Sequence, residues 1–226
     1  LEATENLATA EEHAQRAMSV ALRAQLPRQK FVAELLLARV LQASLSPLHP
    51  KFLSSKIDEY FEAGDLFIAG TFQLILGQVQ FSDDKSLYTL EQVSQNRRMC
   101  PAVRALSLLF QSGYELQAGS ALRALDLLDE VTGLEPLQAQ IRAMYLLQKH
   151  MVSIQCNLRK EGKEFMLEIS NFIQVQQVDQ WHKWSIDGGF DLIMDTERLY
   201  RVFWLNPDEF VLVFYILTAI SLMNES

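Results

Sequence analysis

The sequence predicts an all-α fold, a stack of about nine to eleven antiparallel helices. Apolar residues recur at helical spacing in one segment after another. Helix breakers are few, with nine Gly and six Pro in 226 residues. The helix formers Leu, Ala, Gln and Glu are abundant. Because a short helix with one apolar stripe is unstable alone, the predicted helices must pack against one another.

Six helices are predicted in the first half of the chain, each bounded by a Pro or Gly break or by a polar cap. They span residues 3–25, 28–45, 51–62, 66–80, 85–98 and 102–117. Pro27, Pro47 and Pro50 separate the first three, because a residue before Pro avoids the helical region. The helix over 66–80 is apolar on most sides, which indicates a central position.

The stretch from Gly119 to Pro136 is the most complete predicted helix. Gly119 and Ser120 supply a break and an N-cap, and Gly133 and Pro136 end the helix. Its apolar stripe consists of Leu122, Leu125, Leu128 and Val131, and Leu127 and Leu134 widen it. Such a narrow stripe needs neighbouring helices on which to pack.

Two further segments follow. A helix is predicted from Leu137 to about Ile154. The segment 163–176 has apolar residues at helical spacing, but Phe165 to Ile169 also alternates between apolar and polar residues. We expect a helix there and keep a strand as the alternative.

The C-terminal part contains one clear flexible break at 187–189. Asp195 to Glu197 predicts the start of a short helix that ends at Trp204. Asn206 and Pro207 then start the last helix, whose fourteen residues from Phe210 to Met223 carry no charge. A membrane span needs about 20 apolar residues, so this helix is too short to be one. It is either the most buried helix of the terminal part or a helix that docks on another chain.

The length allows one large domain or two small ones. We expect residues 1–155 to form a stack of helical hairpins and residues 156–226 a helical extension packed on it, with the flexible break near 187–189. One continuous domain is the alternative.

The composition limits the classes of partner. The net charge is −8, and basic residues occur only in short local clusters. A nucleic-acid surface requires concentrated Lys and Arg, so we expect no direct nucleic-acid binding. The expected partner is another protein, either a peptide or helix segment or the subunits of a complex.

The cysteines and the N-terminal region bear on the compartment. Cys100 and Cys156 stand far apart, which favours two thiols in a reducing environment and leaves a single disulfide as the alternative. Residues 1–25 are rich in charge and lack the apolar run of a signal peptide. We therefore expect a cytoplasmic or nuclear protein. The sequence does not begin with Met, so we expect a fragment or a processed form.

No motif predicts catalysis. The four histidines are scattered, and the chain contains no HExxH, GxxxxGK[ST], GxGxxG or GxSxG. Asp126, Asp129 and Glu130 share one helix face and could bind a cation, but a solvated outer face is the expected role. We expect no metal, no cofactor and no enzymatic activity.

The stretch from Gly119 to Pro136 resembles the second half of a tetratricopeptide repeat (TPR), a helical hairpin of about 34 residues. Gly119 takes the turn position, Ala124 the small position and Leu128 the large one. Val131 stands where a second small residue is usual, and Pro136 closes the unit. The small residue permits close approach of two helices.

A second partial match lies at Tyr60, Gly64 and Ala69, but its later positions depart from the pattern. Gly64 and Gly119 are 55 residues apart, which is not a repeat period. The resemblance therefore implies an irregular right-handed α-solenoid, a TPR-like stack rather than a regular array. Any antiparallel helical bundle is the alternative.

The resemblance implies a scaffold or adaptor. In a helical solenoid the first helices of the hairpins line a concave surface that binds extended or helical segments. Carried onto the helix after Pro136, the inner-face positions are Gln138, Ile141, Arg142, Tyr145, Gln148 and Lys149.

Trp181 and Trp184 are further candidates for partner contact, because Trp is enriched at interface hot spots. A compact core around the tryptophans is the alternative. Two other functions stay open: a structural subunit that docks through its apolar C-terminal helix, and a helical enzyme whose pocket is built from distant residues.

Overall fold

The computed structural model describes residues 2–79, 84–132, 138–179, 184–194 and 197–224. These ranges contain ten helices and one two-stranded sheet. The prediction of an all-α helical stack is therefore confirmed. The chain divides into two compact units, residues 1–89 (unit 1) and residues 90–226 (unit 2). The proposed stack over 1–155 with its extension over 156–226 stays a prediction.

Unit 1 is built from two helical hairpins. Its helices are α1 (Glu2–Arg23), α2 (Pro27–Ala43), α3 (His49–Glu62) and α4 (Leu66–Val79). α1 packs on α2 and α3 packs on α4. Phe31, Tyr60 and Phe72 form the aromatic centre, with ring centroids 5.7–6.3 Å apart. α5 (Asp84–Gln95) crosses the boundary to unit 2.

Five helices end in the same turn. A residue with positive φ follows each, namely Gln25, Leu45, Gly64, Gly119 and Asn157. Its amide and the next amide donate back to carbonyls of the last helical turn, which is a Schellman arrangement. Gln25 and Gly64 lie 39 residues apart, and Gly119 and Asn157 lie 38 apart. Hairpins of similar length therefore occur in both units.

Unit 2 centres on the helix after residue 138. Its elements after α5 are α6 (Pro101–Gln117), α7 (Ala121–Asp129), α8 (Ala139–Gln155), α9 (Arg159–Asp179), β1 (Gly189–Met194), β2 (Glu197–Phe203) and α10 (Pro207–Met223). α6 pairs with α7, and α8 pairs with α9. α8 also packs on α6, α7 and α10. The segment 163–176 lies inside α9 and is helical.

α7 corresponds to the predicted helix from Gly119 to Pro136, but it ends at Asp129. Residues 133–137 lie outside the described ranges. Ala124 and Leu128, the small and large positions of the TPR resemblance, are fully buried. Leu122 was expected on the apolar stripe, yet it is 71% exposed. The buried side therefore follows the spacing Ala124, Leu128, Val131.

The short helix predicted from Asp195 to Trp204 is wrong. Residues 197–203 form β2, which pairs antiparallel with β1 so that Phe190 lies opposite Val202. Both of these side chains are buried. Glu197, the last residue of the triplet that resembles a helix cap, begins β2, and residues 195–196 lie outside the described ranges. A local cap signal could not reveal this pairing, because the partner strand provides it.

The turn before β1 is held by hydrogen bonds. Asp187 accepts from the Gly189 amide at 3.0 Å and from the Arg201 guanidinium at 2.7 Å. Gly188 has φ of +71°, and its carbonyl accepts from the Trp204 amide at 3.0 Å. These contacts join the two ends of the hairpin.

α10 begins as the sequence predicts. Asn206 caps it, and Asn206 and Glu209 form a reciprocal capping box at 2.9 Å in both directions. Only one side of the helix is buried, through Phe210 and Phe214. Its other side is apolar and exposed, so α10 is not the most buried helix of this part.

Candidate functional site

The candidate site lies along one side of α8, where four predicted residues share a face. Gln138, Arg142, Tyr145 and Lys149 are spaced at helical intervals of three or four residues. We call these four residues the α8 stripe. The other sides of α8 are fixed by buried apolar residues against α6, α7, α9 and α10. α8 is thus a rigid support for the stripe.

Lys149 and Tyr145 form the C-terminal half of the α8 stripe. The Lys149 side chain is only 7% exposed, and its ammonium pairs with the Asp129 carboxylate at the end of α7. The same ammonium lies 5.8 Å from the ring centroid of Tyr145. Burial, followed by the negative charges of Asp129 and Glu168, raises the pKa of the Tyr145 phenol. A phenol is already protonated at neutral pH at its ordinary pKa of 10.0, so Tyr145 can donate a hydrogen bond to a partner.

Arg142 and Gln138 form the N-terminal half. The Arg142 side chain is 36% exposed, and its guanidinium lies 3.7 Å from the Glu168 carboxylate on α9. It also lies 6.0 Å from the ring centroid of Phe172. Gln138 donates to the main-chain carbonyl of Asp191 on β1. Elements from three sides thus hold the α8 stripe in place.

Two other predicted residues of α8 do not share this surface. Ile141 is fully buried in the core, so its side chain does not reach a partner in this structure. Gln148 is half-buried and donates to the Leu109 carbonyl of α6 at 3.0 Å. Gln138, Arg142 and Tyr145 are partly exposed, and they lie on the one face that a partner can reach together.

Of the two tryptophans predicted to contact a partner, one lies in the core and the other lies outside the described residues. Trp184 is 6% exposed and lies 5.9 Å from Phe210 and 6.5 Å from Phe172, measured between ring centroids. It belongs to the core of unit 2, which was the alternative interpretation. Trp181 lies outside the described residues.

The sequence analysis missed a buried ion cluster in unit 1. Glu34 of α2 is completely buried. Its carboxylate accepts from the Tyr60 hydroxyl at 2.6 Å and lies 2.8 Å from the Lys56 ammonium. Lys30 lies 3.7 Å from Glu34 and also pairs with Glu59. The signal was present, since Glu34 interrupts the apolar run FVAELLLARVL.

The cluster holds opposite charges against one another. Burial opposes ionisation, yet hydrogen bonds and attraction from Glu34 and Glu59 raise the pKa of Lys56. Burial alone would raise the pKa of Glu59, but hydrogen bonds and attraction from Lys30 and Lys56 outweigh it and lower that pKa. Burial and the nearby Glu34 raise the pKa of Tyr60. The two carboxylates and two ammonium groups of the cluster balance in charge. Because each helix contributes one acid and one base, the ion pairs connect α2 to α3.

The remaining titratable groups in the described ranges give no ligand set. His49 and His150 are buried, and burial lowers the pKa of each imidazole. Cys100 and Cys156 are free thiols. Among the residues that the structure describes, no group of three or more His, Cys, Asp or Glu is placed to hold a metal ion. Within the same ranges, no helix has both the length and the apolar character needed to cross a bilayer.

Comparison with known proteins identifies the family. The family model described as cohesin loading factor matches residues 1–226, the full length of the sequence. No curated protein and no solved structure matches the chain. A match over the whole sequence is sufficient to assign membership. The chain belongs to the cohesin loading factor family.

Proposed function

We propose that this protein is a non-enzymatic nuclear adaptor in cohesin loading, and that it binds a segment of a partner protein along the α8 stripe. The family match over residues 1–226 is the observation that carries the proposal. A loading factor must bring protein subunits together, and a helical stack offers long, rigid faces for that purpose. The partner is a subunit of the cohesin or cohesin-loading assembly.

The residues of the α8 stripe suit recognition of a polypeptide. Arg142 and Tyr145 belong to the residue types enriched at interface hot spots. Arg142 is 36% exposed and already lies beside a carboxylate on α9, so a partner acid or carbonyl can replace or share that contact. The Tyr145 phenol adds a donor beside it. These donors fit an extended or helical segment that presents acidic and carbonyl acceptors.

The TPR resemblance supports the same surface. α8 is the first helix of the α8–α9 hairpin, and first helices line the concave side in that family. The proposal therefore extends the resemblance from α7 to the next hairpin.

Charge reversal at Arg142 tests the proposal. Tagged wild-type protein and Arg142→Glu are used to capture subunits of cohesin and its loading machinery from the source cell, with quantification by mass spectrometry. We expect at least a tenfold loss of the bound subunit, because the side chain would repel acidic acceptors.

Arg16→Glu is the matched control. Arg16 is an exposed arginine of α1, and its guanidinium forms an ion pair with Glu12 one turn earlier on the same helix. Its reversal should leave capture unchanged. Equal capture by wild type and Arg142→Glu, with both proteins folded, would refute the assignment of the α8 stripe.

A further inference from the structure

The two cations of the α8 stripe are held by carboxylates of neighbouring helices in different ways. Lys149 is only 7% exposed in its side chain and pairs with Asp129, so its ammonium is enclosed. The Arg142 side chain is 36% exposed, and its guanidinium lies 3.7 Å from the Glu168 carboxylate. A charge-assisted hydrogen bond is shorter, about 2.7–2.9 Å, so the contact between Arg142 and Glu168 is a loose ion pair. Arg142 is therefore the cation of the stripe that can exchange one carboxylate for another.

Glu168 can leave this contact without disturbing the packing of α9. Its side chain is 48% exposed, and an exposed ion pair contributes little to stability. Phe172, one turn later on α9, is buried in the core of unit 2. The Arg142 guanidinium lies 6.0 Å from the centroid of the Phe172 ring. The ring supports the guanidinium independently of Glu168, so Arg142 stays presented to a partner when the carboxylate moves away.

The negative charge of Glu168 also acts on Tyr145. Burial raises the pKa of the Tyr145 phenol, and the charges of Asp129 and Glu168 add to that increase. Arg142 and Tyr145, two of the donors that a partner can reach, therefore have the same carboxylate as a neighbour. A partner carboxylate that approaches these donors is attracted by the guanidinium and repelled by Glu168. Its binding becomes favourable when Glu168 turns away from Arg142 into solvent.

We propose that Glu168 is a specificity-determining residue of the α8 stripe, which pairs with Arg142 in the free chain and is displaced by one acidic side chain of the partner segment. This inference rests on the proposed function, because it concerns the same surface. A partner segment with an acid at this position replaces the ion pair that it breaks. A segment without that acid covers two charges and offers Arg142 no new carboxylate, so desolvation opposes its binding.

Glu168→Gln tests the displacement, because the amide keeps the size of the side chain and removes its charge. The probe is the purified cohesin or cohesin-loading subunit whose capture Arg142→Glu reduces, and its binding is measured by surface plasmon resonance. We expect Glu168→Gln to bind this subunit about three- to tenfold more tightly, mainly through faster association, because charges at the rim of an interface act on that rate. Glu164→Gln is the matched control, since Glu164 is an exposed acid one turn earlier on α9. It changes the net charge equally and should alter the affinity by less than about twofold.

A second background shows whether Glu168 acts through Arg142. When Arg142 is already replaced by Gln, the further change Glu168→Gln should raise the affinity by less than about twofold, because no guanidinium is left to compete for. The urea midpoint of Glu168→Gln should equal that of the wild type, since a loose surface ion pair stabilises the fold little. A lower midpoint together with weaker binding overturns the proposal, because Glu168 would then be a structural residue.

The outcomes distinguish this inference from the proposed function. Equal capture by wild type and Arg142→Glu refutes the proposed function and the role of Glu168 with it. Reduced capture by Arg142→Glu, combined with unchanged or weaker binding by Glu168→Gln, leaves the proposed function standing and overturns the role of Glu168. An equal gain in affinity in the Arg142→Gln background overturns that role as well, because Glu168 would then act only as a general negative charge.

Discussion

Replacing Glu34 by Gln tests whether the buried ion cluster holds α2 on α3. The Glu34 side chain is fully buried, and its carboxylate accepts a hydrogen bond from the Tyr60 hydroxyl and forms an ion pair with the Lys56 ammonium. Gln keeps the size and one acceptor but removes the charge. Lys56 then keeps only Glu59 as an anionic partner in the cluster. The Lys56 ammonium, which is mostly removed from water, therefore loses one of its two anionic partners.

The expected magnitude follows from the degree of burial. Removing one partner of a fully buried ion pair costs about 3–5 kcal/mol of unfolding free energy. The side chains of Lys56 and Lys30 are 14% and 18% exposed, and Glu59 is 40% exposed, so water and the second acid offset part of that loss. We expect Glu34→Gln to cost about 2–3 kcal/mol.

Urea unfolding followed by far-UV circular dichroism measures this loss as a lower midpoint. The double variant Glu34→Gln with Lys56→Met removes both charges and keeps the apolar stem of the lysine. It should recover at least half of the loss, because no uncompensated charge remains. Tyr60→Phe, which removes one donor to the carboxylate, should cost about 1–2 kcal/mol. A change in unfolding free energy of less than about 0.5 kcal/mol for Glu34→Gln would contradict a role of the cluster in holding α2 on α3. A double variant less stable than Glu34→Gln alone would contradict it as well.

Two further predictions concern unit 2. Trp184→Ala empties a core position that is 6% exposed and should lower the unfolding free energy by about 3–5 kcal/mol. Leu122→Ala, at a 71% exposed position, should stay within about 0.5 kcal/mol, and similar thermal shifts for both variants would contradict the core assignment of Trp184. His150 should make the protein acid-sensitive, because burial lowers the pKa of its imidazole in the folded state. As pH falls below the ordinary value of 6.5, the unfolded chain takes up a proton that the folded chain resists, so stability decreases. The urea midpoint of the wild type should fall from neutral to mildly acidic pH, and that of His150→Leu should fall less. If the midpoints of both proteins fall equally with pH, His150 is not a source of the acid sensitivity.

The helices themselves could be predicted because their signals are local. The predicted helices over 66–80 and 102–117 correspond closely to α4 (Leu66–Val79) and α6 (Pro101–Gln117). The start signal at Asn206 and Pro207 appears in the structure as a capping box. Apolar spacing, Pro at the first helical position and polar caps are properties of neighbouring residues, so sequence alone reveals them.

The turns were harder to predict where glycine is absent. Gly64 and Gly119 mark their turns in the sequence, whereas Asn157 adopts the same left-handed conformation without a glycine to indicate it. Glycine alone is no sufficient signal either, because Gly162 lies inside α9. The similar hairpin lengths in the two units depend on this turn at Asn157.

The candidate site shows the same division between local and non-local information. Helical spacing alone places the α8 stripe on one face. Whether each member is reachable depends on other elements: Asp129 at the end of α7 draws Lys149 into a pair, and Glu168 on α9 faces Arg142. Ile141 is buried because its side of α8 meets the core. Those neighbours are remote in sequence, so no local pattern predicts them.

The sequence by itself determined the helical class, most helix limits and the absence of charge along the last helix. Only the tertiary structure decided that residues 197–203 pair as a strand, that Trp184 lies in the core and that α10 leaves one apolar side exposed. The physical reason is that periodicity reports which residues share a face, whereas burial depends on what packs against that face. For α10 both faces are apolar, and only the packing on α8 and α9 shows which of them is left exposed.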